Sequence, residues 1–262
     1  MAWTRRYDDV EPQRVNRWLA QSGVCSRREA EALIAKGLVS IDGERVGDLG
    51  RKILAGQTLT LADDAETELQ GRLTILIHKP VGVVSGQPEG RQIPAIRLTT
   101  QDALWKDPLR GEGQGAAIQV PDAKTRLAPI GRLDMDSRGL LILSEDGVLA
   151  KAVIGPYSEL EKEYLVQVEG AITEKKLKLL RHGLELDGRK LKPAQVTVVE
   201  PERLRFILKE GRNRQIRRMC EAVGLAVVDL FRLRIGPIDL GDLPEGCWRP
   251  LTAGERAAIV QG

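Results

Sequence analysis

The chain has 262 residues, of which 42% are hydrophobic and 29% charged, and it carries a formal net charge of +3 at pH 7. That length allows one or two domains with a real core. Its three scattered cysteines do not make a disulfide framework, and its two histidines, with no Cys pair at ligand spacing, leave no zinc site. No apolar run of membrane-spanning length and no signal-peptide pattern is present, so a soluble, cytosolic protein without a membrane partner is expected.

In chain order, PQRVNRWLAQSG (12–23) places Val15, Trp18 and Leu19 at helical spacing, with Gly23 to end the helix. SRREAEALIAKG (26–37) opens on a capping-box pair, Ser26 and Glu29, and presents Ala30, Leu33 and Ile34 as an apolar face before Gly37. LVSIDGERV (38–46) reads as a hairpin about Asp42 and Gly43, and 47–61 adds short strands. Residues 12–62 therefore form a small module of their own. The acidic, aperiodic residues 63–71 are expected to be a linker, and 72–262 a second domain.

That domain starts with a buried strand over Leu73 to Ile77, stopped by Pro80 and Gly82. Residues 101–125, rich in Gly, Pro and charge, read as an irregular insertion. APIGRLDMDSRG (128–139) is expected to be loop and LLIL (140–143) a buried strand. EKEYLVQVEG alternates Tyr164, Val166 and Val168 on one side, Thr173 to Arg181 is helical, and strands follow at 194–199 and 203–208. NRQIRRMCEAVG (213–224) is an amphipathic helix with Ile216, Met219, Cys220 and Val223 inward and Asn213 as its expected cap. Thr252 and Glu255 make another capping box. Strands and helices intersperse without strict alternation, which points to α+β.

The charge is concentrated in two places. Arg14, Arg17, Arg27, Arg28 and Lys36 lie on the two short helices of the first module, and Arg212, Arg214, Arg217 and Arg218 fall within one heptad. Two basic clusters in separate modules suit a long polyanion better than a small ligand. With aromatics at only 3%, the grip must come from charge and shape more than from stacking.

In GRLDMDSRGLLILSEDG (131–147), Arg132 and Asp134 stand between a glycine and a buried strand. Asp134 is the candidate nucleophile or base, carried by a loop on a rigid support. Arg217 is expected to pair with it and fix its direction. Tyr164 offers a flat ring and a hydroxyl, although by pattern alone it is ordinary strand packing. Asp134 and Asp136 could instead form a magnesium-binding Asp-x-Asp, a short motif without further ligands beside it. His78, at the end of an apolar strand, reads as structural. Neither GxxxxGK[ST] nor GxGxxG occurs.

HKPVG, GRLDMDSRGLLILSEDG, EKEYLV and EGRNRQIRRMCEAVG, in this order, resemble the RsuA/RluB/RluE/RluF family of ribosomal RNA pseudouridine synthases. SGVCSRREAEALI, NRQIRRMCE and GCWRPLT bring the wording closest to its RluF branch. The resemblance spans about 13–62 and 72–253. It implies a small S4-like RNA-binding domain, named after a ribosomal protein of the small subunit, at 12–62. A catalytic domain with a mixed, mainly antiparallel sheet flanked by helices is implied to follow.

The resemblance also implies the reaction. A uridine in RNA is isomerised to pseudouridine: the uracil leaves its ribose, turns and rejoins through carbon 5, without metal or organic cofactor. Asp134 corresponds to the catalytic aspartate of the GRLD motif, Tyr164 to the tyrosine of KEY, and Arg217 to the basic residue of QIR that pairs with the aspartate. Arg132, Arg212, Arg214 and Arg218, with the basic residues of the first module, are the expected RNA contacts. The RluF branch points to 23S rRNA, with a tRNA as a second substrate. The rival readings are a 16S rRNA enzyme of the RsuA kind and a non-catalytic RNA-binding assembly protein. A monomer is the expected state.

Overall fold

The computed structural model describes residues 3–106, 118–122 and 125–261. The chain divides into two compact units, Met1–Leu73 with Glu145–Lys151, and Thr74–Ser144 with Ala152–Gly262. The insertion expected at 101–125 lies for the most part outside the described residues.

In the first unit the apolar spacing yields helix α1 (Val15–Gln21) and helix α2 (Arg27–Ala35). The expected capping box closes the start of α2. The Ser26 hydroxyl accepts the Glu29 N–H at 3.3 Å, and the Glu29 carboxylate accepts the Ser26 N–H. A four-stranded antiparallel sheet runs in the order Thr4–Arg6, Thr58–Leu61, Val39–Ile41, Glu44–Arg45. Trp18, Leu19, Leu33, Ile41 and Leu61 form its core. The reading of 63–71 as a linker is corrected: Asp63–Gln70 is helix α3. Asp63, Asp64 and Glu66 fill its first turn, where acidic side chains complement the helix dipole. Ala65 is fully buried in the core, and Glu68 holds Lys36 at 2.6 Å. A short acidic helix with one small buried residue has almost no apolar periodicity to betray it.

The second unit is built on a nine-stranded mixed sheet. Its main path is Gln195–Glu200, Arg203–Leu208, Lys162–Glu169, Ala226–Ile235, Arg138–Ser144, Thr74–Lys79, Trp248–Pro250. Ala128–Ile130 pairs with Arg138–Ser144, and Ile238–Asp239 with Ala226–Ile235. Pairing along this sheet is antiparallel except between Arg138–Ser144 and Ala226–Ile235, which run parallel. Residues 128–130, expected as loop, are thus strand. Helix α4 (Gly147–Ile154) follows the strand Arg138–Ser144, with its residues up to Lys151 belonging to the first unit, and has no counterpart among the expected elements.

Helices α5 (Glu174–Arg181) and α6 (Gln215–Ala222) cover one face of the sheet. Leu177 and Leu180, with Ile216, Met219 and Cys220, meet Val166, Val168, Val196, Leu204 and Phe206 in one core. Helix α7 (Ala253–Gln261) starts at the expected box, with the Thr252 hydroxyl accepting the Glu255 N–H at 3.2 Å and the Glu255 carboxylate accepting the Thr252 N–H at 2.9 Å. The cap of α6 differs from expectation. Arg214, not Asn213, stands at the N-cap, in a left-handed conformation with φ 48° and no side-chain capping bond. The Arg212 N–H donates instead to the Gln215 side chain at 2.9 Å. This backbone conformation delivers the Arg214 guanidinium to the loop described next.

Candidate active site

Residues 131–137 link the strand Ala128–Ile130 to Arg138–Ser144, and every carbonyl from Gly131 to Asp136 has a donor. The Arg232 guanidinium gives hydrogen bonds to Gly131 at 2.8 Å and Arg132 at 3.4 Å. Ser85 Oγ donates to the Leu133 carbonyl at 2.6 Å and accepts the Leu133 N–H at 2.8 Å. The Asp134 carbonyl takes the Ser137 N–H, and the Met135 carbonyl takes the Gly82 N–H at 2.8 Å. Arg217 donates to the Asp136 carbonyl at 2.7 Å. A loop held at six consecutive carbonyls has little freedom to move its side chains. The charged pair beside a buried strand thus sits on an anchored turn.

The anchors are themselves braced. Arg232 is 1% exposed and also donates to the Leu140 carbonyl at 2.7 Å. The Lys79 amine is buried and donates to the Pro80 and Val83 carbonyls, both at 2.7 Å, so HKPVG is a turn tied down from inside. Burial, reinforced by Arg232, pushes the Lys79 pKa down to about 8 against the opposing pull of Asp136 and Asp134. His78 is buried, stacked on Phe231 with ring centroids 5.4 Å apart, its Nδ1 2.8 Å from the Leu243 carbonyl. Burial lowers its pKa, which fits the structural place read from the sequence.

Ser85→Ala removes the partner of both Leu133 backbone groups, which are buried. The expected cost is about 2 kcal/mol, to be checked by urea unfolding. An unchanged midpoint would mean that Ser85 does not hold the loop.

The Asp134 side chain is one-third exposed and faces a cleft of about 720 Å³. Arg132, Tyr164, Lys162, Arg214 and Arg217 also line it. Tyr164, on the strand Lys162–Glu169, is 8% exposed. The expected pairing of Arg217 with Asp134 is corrected. Arg217 Nε lies 3.3 Å from Asp136 Oδ2, and its other donors reach the Asp136 and Val227 carbonyls. Among the described residues the cation within ion-pair distance of Asp134 is Arg214, at 3.5 Å. Arg214 also makes two hydrogen bonds to the Asp136 carboxylate, at 2.9 and 3.2 Å. The helix turns Arg217 beneath the loop, whereas the left-handed N-cap lets Arg214 reach across it.

Burial raises the Asp136 pKa, but the Arg214 hydrogen bonds and the Arg217 charge outweigh it and hold the carboxyl below its usual range. With both guanidinium groups on Asp136, the Asp-x-Asp is not an open pair of carboxylates for a cation. Among the described residues no group of three or more His, Cys, Asp or Glu could hold a metal.

The expected RNA contacts divide. Arg14, Arg17 and Arg27 line, with Lys52, a second cleft of about 730 Å³ in the first unit, and Arg28 is exposed. Lys36 is bound to Glu68 instead. Arg212 is a clamp rather than a free cation, donating to the Leu186, Arg189 and Lys190 carbonyls at 2.7–3.1 Å. Arg218 is engaged by Asp187 at 2.6 and 2.9 Å. Arg132 stays exposed at the cleft. Sequence reasoning missed Ser85, Lys162 and Arg232; a lysine two places before Tyr164 on the same strand face was the available signal for Lys162.

A family model for RNA pseudouridylate synthase matches residues 73–222, and one for the S4 domain matches 13–59. An uncharacterized RNA pseudouridine synthase of Aquifex aeolicus is 36% identical over 255 residues, 95% of this chain and 94% of that protein. The dual-specificity RNA pseudouridine synthase RluF of Escherichia coli K12 is 36% identical over 244 residues, 92% of this chain and 76% of the relative. The ribosomal large subunit pseudouridine synthase B of Bacillus subtilis is 31% identical over 249 residues, 93% of each. A crystal structure of a pseudouridylate synthase aligns with a TM-score of 0.61 at 26% identity, over 94% of this chain and 99% of that one.

Proposed function

This chain belongs to the RNA pseudouridylate synthase family, and from that premise we propose that it isomerises a uridine of large-subunit rRNA with Asp134 as its reacting carboxylate. The enzyme class follows from the family; the substrate and the residue roles are the proposal. One observation carries it: the loop 131–136, held at every carbonyl, sets the half-buried Asp134 carboxylate in a cleft that also holds Tyr164. A base must leave its stack before any side chain reaches the ribose or the ring, and this cleft has the size that takes such a nucleotide.

In this reading Asp134 attacks the uridine and Tyr164 lies against the extruded base. Arg214 directs the Asp134 carboxylate. Arg217 is a positioning residue that acts through the Asp136 backbone and carboxylate. Arg132, at the mouth of the cleft, meets the RNA. In the S4 unit Arg14, Arg17, Arg27 and Lys52 take phosphates, as forked and point-charge donors do. The large subunit is favoured by the name of the Bacillus subtilis relative. The dual-specificity relatives favour a second RNA, and tRNA is the one proposed.

The test is tritium release from large-subunit rRNA transcripts labelled at uracil carbon 5, in EDTA, with tRNA transcripts in parallel. Release from the rRNA is the expected result, since no residue role invoked here uses a metal. Release from small-subunit rRNA alone would reassign the substrate to the 16S molecule. Binding without release from any of these RNAs would favour an assembly protein.

A further inference from the structure

Among the described residues that line the cleft, Lys162 is a buried cation to which no role has been assigned. Lys162 lies two residues before Tyr164 on the strand Lys162–Glu169, so both side chains project from one face, and both line the cleft. Lys162 is 7% exposed. Its ammonium carries three donors, and the hydrogen bond it makes goes to the Leu160 carbonyl at 3.3 Å. Among the described residues no carboxylate forms an ion pair with it. Burial, and then its cationic neighbours Arg232 and Lys192, push its pKa down. Lys192 differs, being more exposed and bound to Glu159 at 2.7 Å. A buried ammonium among cations, with donors to spare, is costly unless a ligand brings acceptors.

Depth decides which part of an RNA can bring them. A phosphodiester remains with its strand at the mouth of a cleft. The base is the part of an extruded nucleotide that enters deepest. We propose that Lys162 is a catalytic residue that donates a hydrogen bond to a carbonyl oxygen of the extruded uracil and stabilises the negative charge of the base while it is detached from the ribose. This rests on the uridine isomerisation assigned above.

The step balances. When the N1–C1′ bond breaks, its electron pair stays with the uracil, spread over N1 and the carbonyl oxygens. C1′ is meanwhile held by a bond to the attacking Asp134 carboxylate. The turned ring uses a pair to form the C1′–C5 bond as the Asp134 O–C1′ bond breaks and returns its pair to the carboxylate, the proton on C5 leaves, and N1 takes one up. Nothing is oxidised or reduced, and Lys162 keeps its proton. A hydrogen bond that strengthens only while that charge exists raises the rate rather than the affinity.

Lys162→Met and Lys162→Arg test this beside the wild type, in single-turnover reactions on a large-subunit rRNA transcript. Lys162→Met is expected to slow the reaction by about 100-fold or more, with the RNA Kd within about twofold of wild type. Lys162→Arg should restore part of the rate. On the same transcript carrying 5-fluorouridine, whose base leaves more readily as an anion, C5 has no proton to lose, so the rearranged ring keeps its fluorine and takes up water at C6. Nucleoside mass spectrometry of that hydrated product should show the Lys162→Met penalty reduced by about tenfold. Loss of mere structure would slow both substrates alike and lower the melting temperature. A wild-type rate for Lys162→Met, or an equal penalty on both substrates, would overturn the inference and leave the isomerisation standing. A wild-type protein silent on every RNA would remove the underlying reading as well, and is recognised because it strikes wild type and variants alike.

Discussion

Asp134→Asn is expected to cut tritium release by about 10⁴-fold or more while the RNA affinity stays within about threefold of wild type. The substitution preserves size and planarity and removes the charge together with the nucleophilic oxygen. It should leave the fold alone, because the loop is held through its backbone: the donors from Arg232, Ser85, Gly82 and Arg217 all go to carbonyls of residues 131–136. The side chain itself contributes one ion-pair contact, with Arg214 at 3.5 Å, and is one-third exposed. An exposed pair of that kind adds about 0–1 kcal/mol to stability, so the melting temperature should move by no more than a few degrees. Asp136→Asn is the informative neighbour. Its carboxylate serves Arg214 and Arg217, so it should lose less activity than Asp134→Asn. If Asp136→Asn were the dead variant and Asp134→Asn kept a tenth of its rate, the reacting carboxylate would be Asp136.

What the sequence made legible, and what it hid, follows from the range of the interactions involved. The capping pairs Ser26 with Glu29 and Thr252 with Glu255 are contacts over three residues, and both form. The apolar faces of α2, α5 and α6 follow from spacing alone, and their buried residues join the two cores. The identity of the loop around Asp134 was legible through its motif, and the motif order carried the family. The way that loop is held was not legible. Ser85 lies 48 positions from Leu133, Arg232 about a hundred from Gly131, and Arg217 some eighty from Asp136; no local pattern connects such residues. The basic heptad misled for a related reason. A helical wheel sorts Arg212, Arg214, Arg217 and Arg218 by direction, but it cannot show that a hairpin, Asp136 and Asp187 await three of them. Nor could it show that a left-handed N-cap would bring Arg214, expected to meet RNA, to Asp134 and leave Arg217 on Asp136.

Gly139→Ala is expected to lower the melting temperature of the catalytic unit by about 8–16 °C, at roughly 2–4 °C per kcal/mol for a domain of this size, and to reduce activity in the remaining folded protein. Gly139 is the second residue of the strand Arg138–Ser144, at φ +112°, opposite Arg232 in the short parallel pairing. A Cβ there would stand 2.3 Å from the Arg232 carbonyl oxygen and 2.7 Å from its nitrogen. Both are backbone atoms, so no rotamer change relieves the clash and the strands must part. Strain at such a φ costs about 1–3 kcal/mol and overpacking a similar amount, which together give about 4 kcal/mol. Gly183→Ala separates the two contributions: its φ is +115°, yet nothing lies within 4 Å of its Cβ position, so only the conformational part should appear. The excess in Gly139→Ala is then the cost of displacing Arg232. That arginine holds the Gly131 and Arg132 carbonyls from one side of the loop and the Leu140 carbonyl from the strand. Its movement should carry Asp134 with it, and a misplacement of about 1 Å at a reacting group costs on the order of 10²-fold in rate. A Gly139→Ala protein that melts early yet turns over at the wild-type rate per folded molecule would show that Arg232 steadies the sheet without setting the position of Asp134.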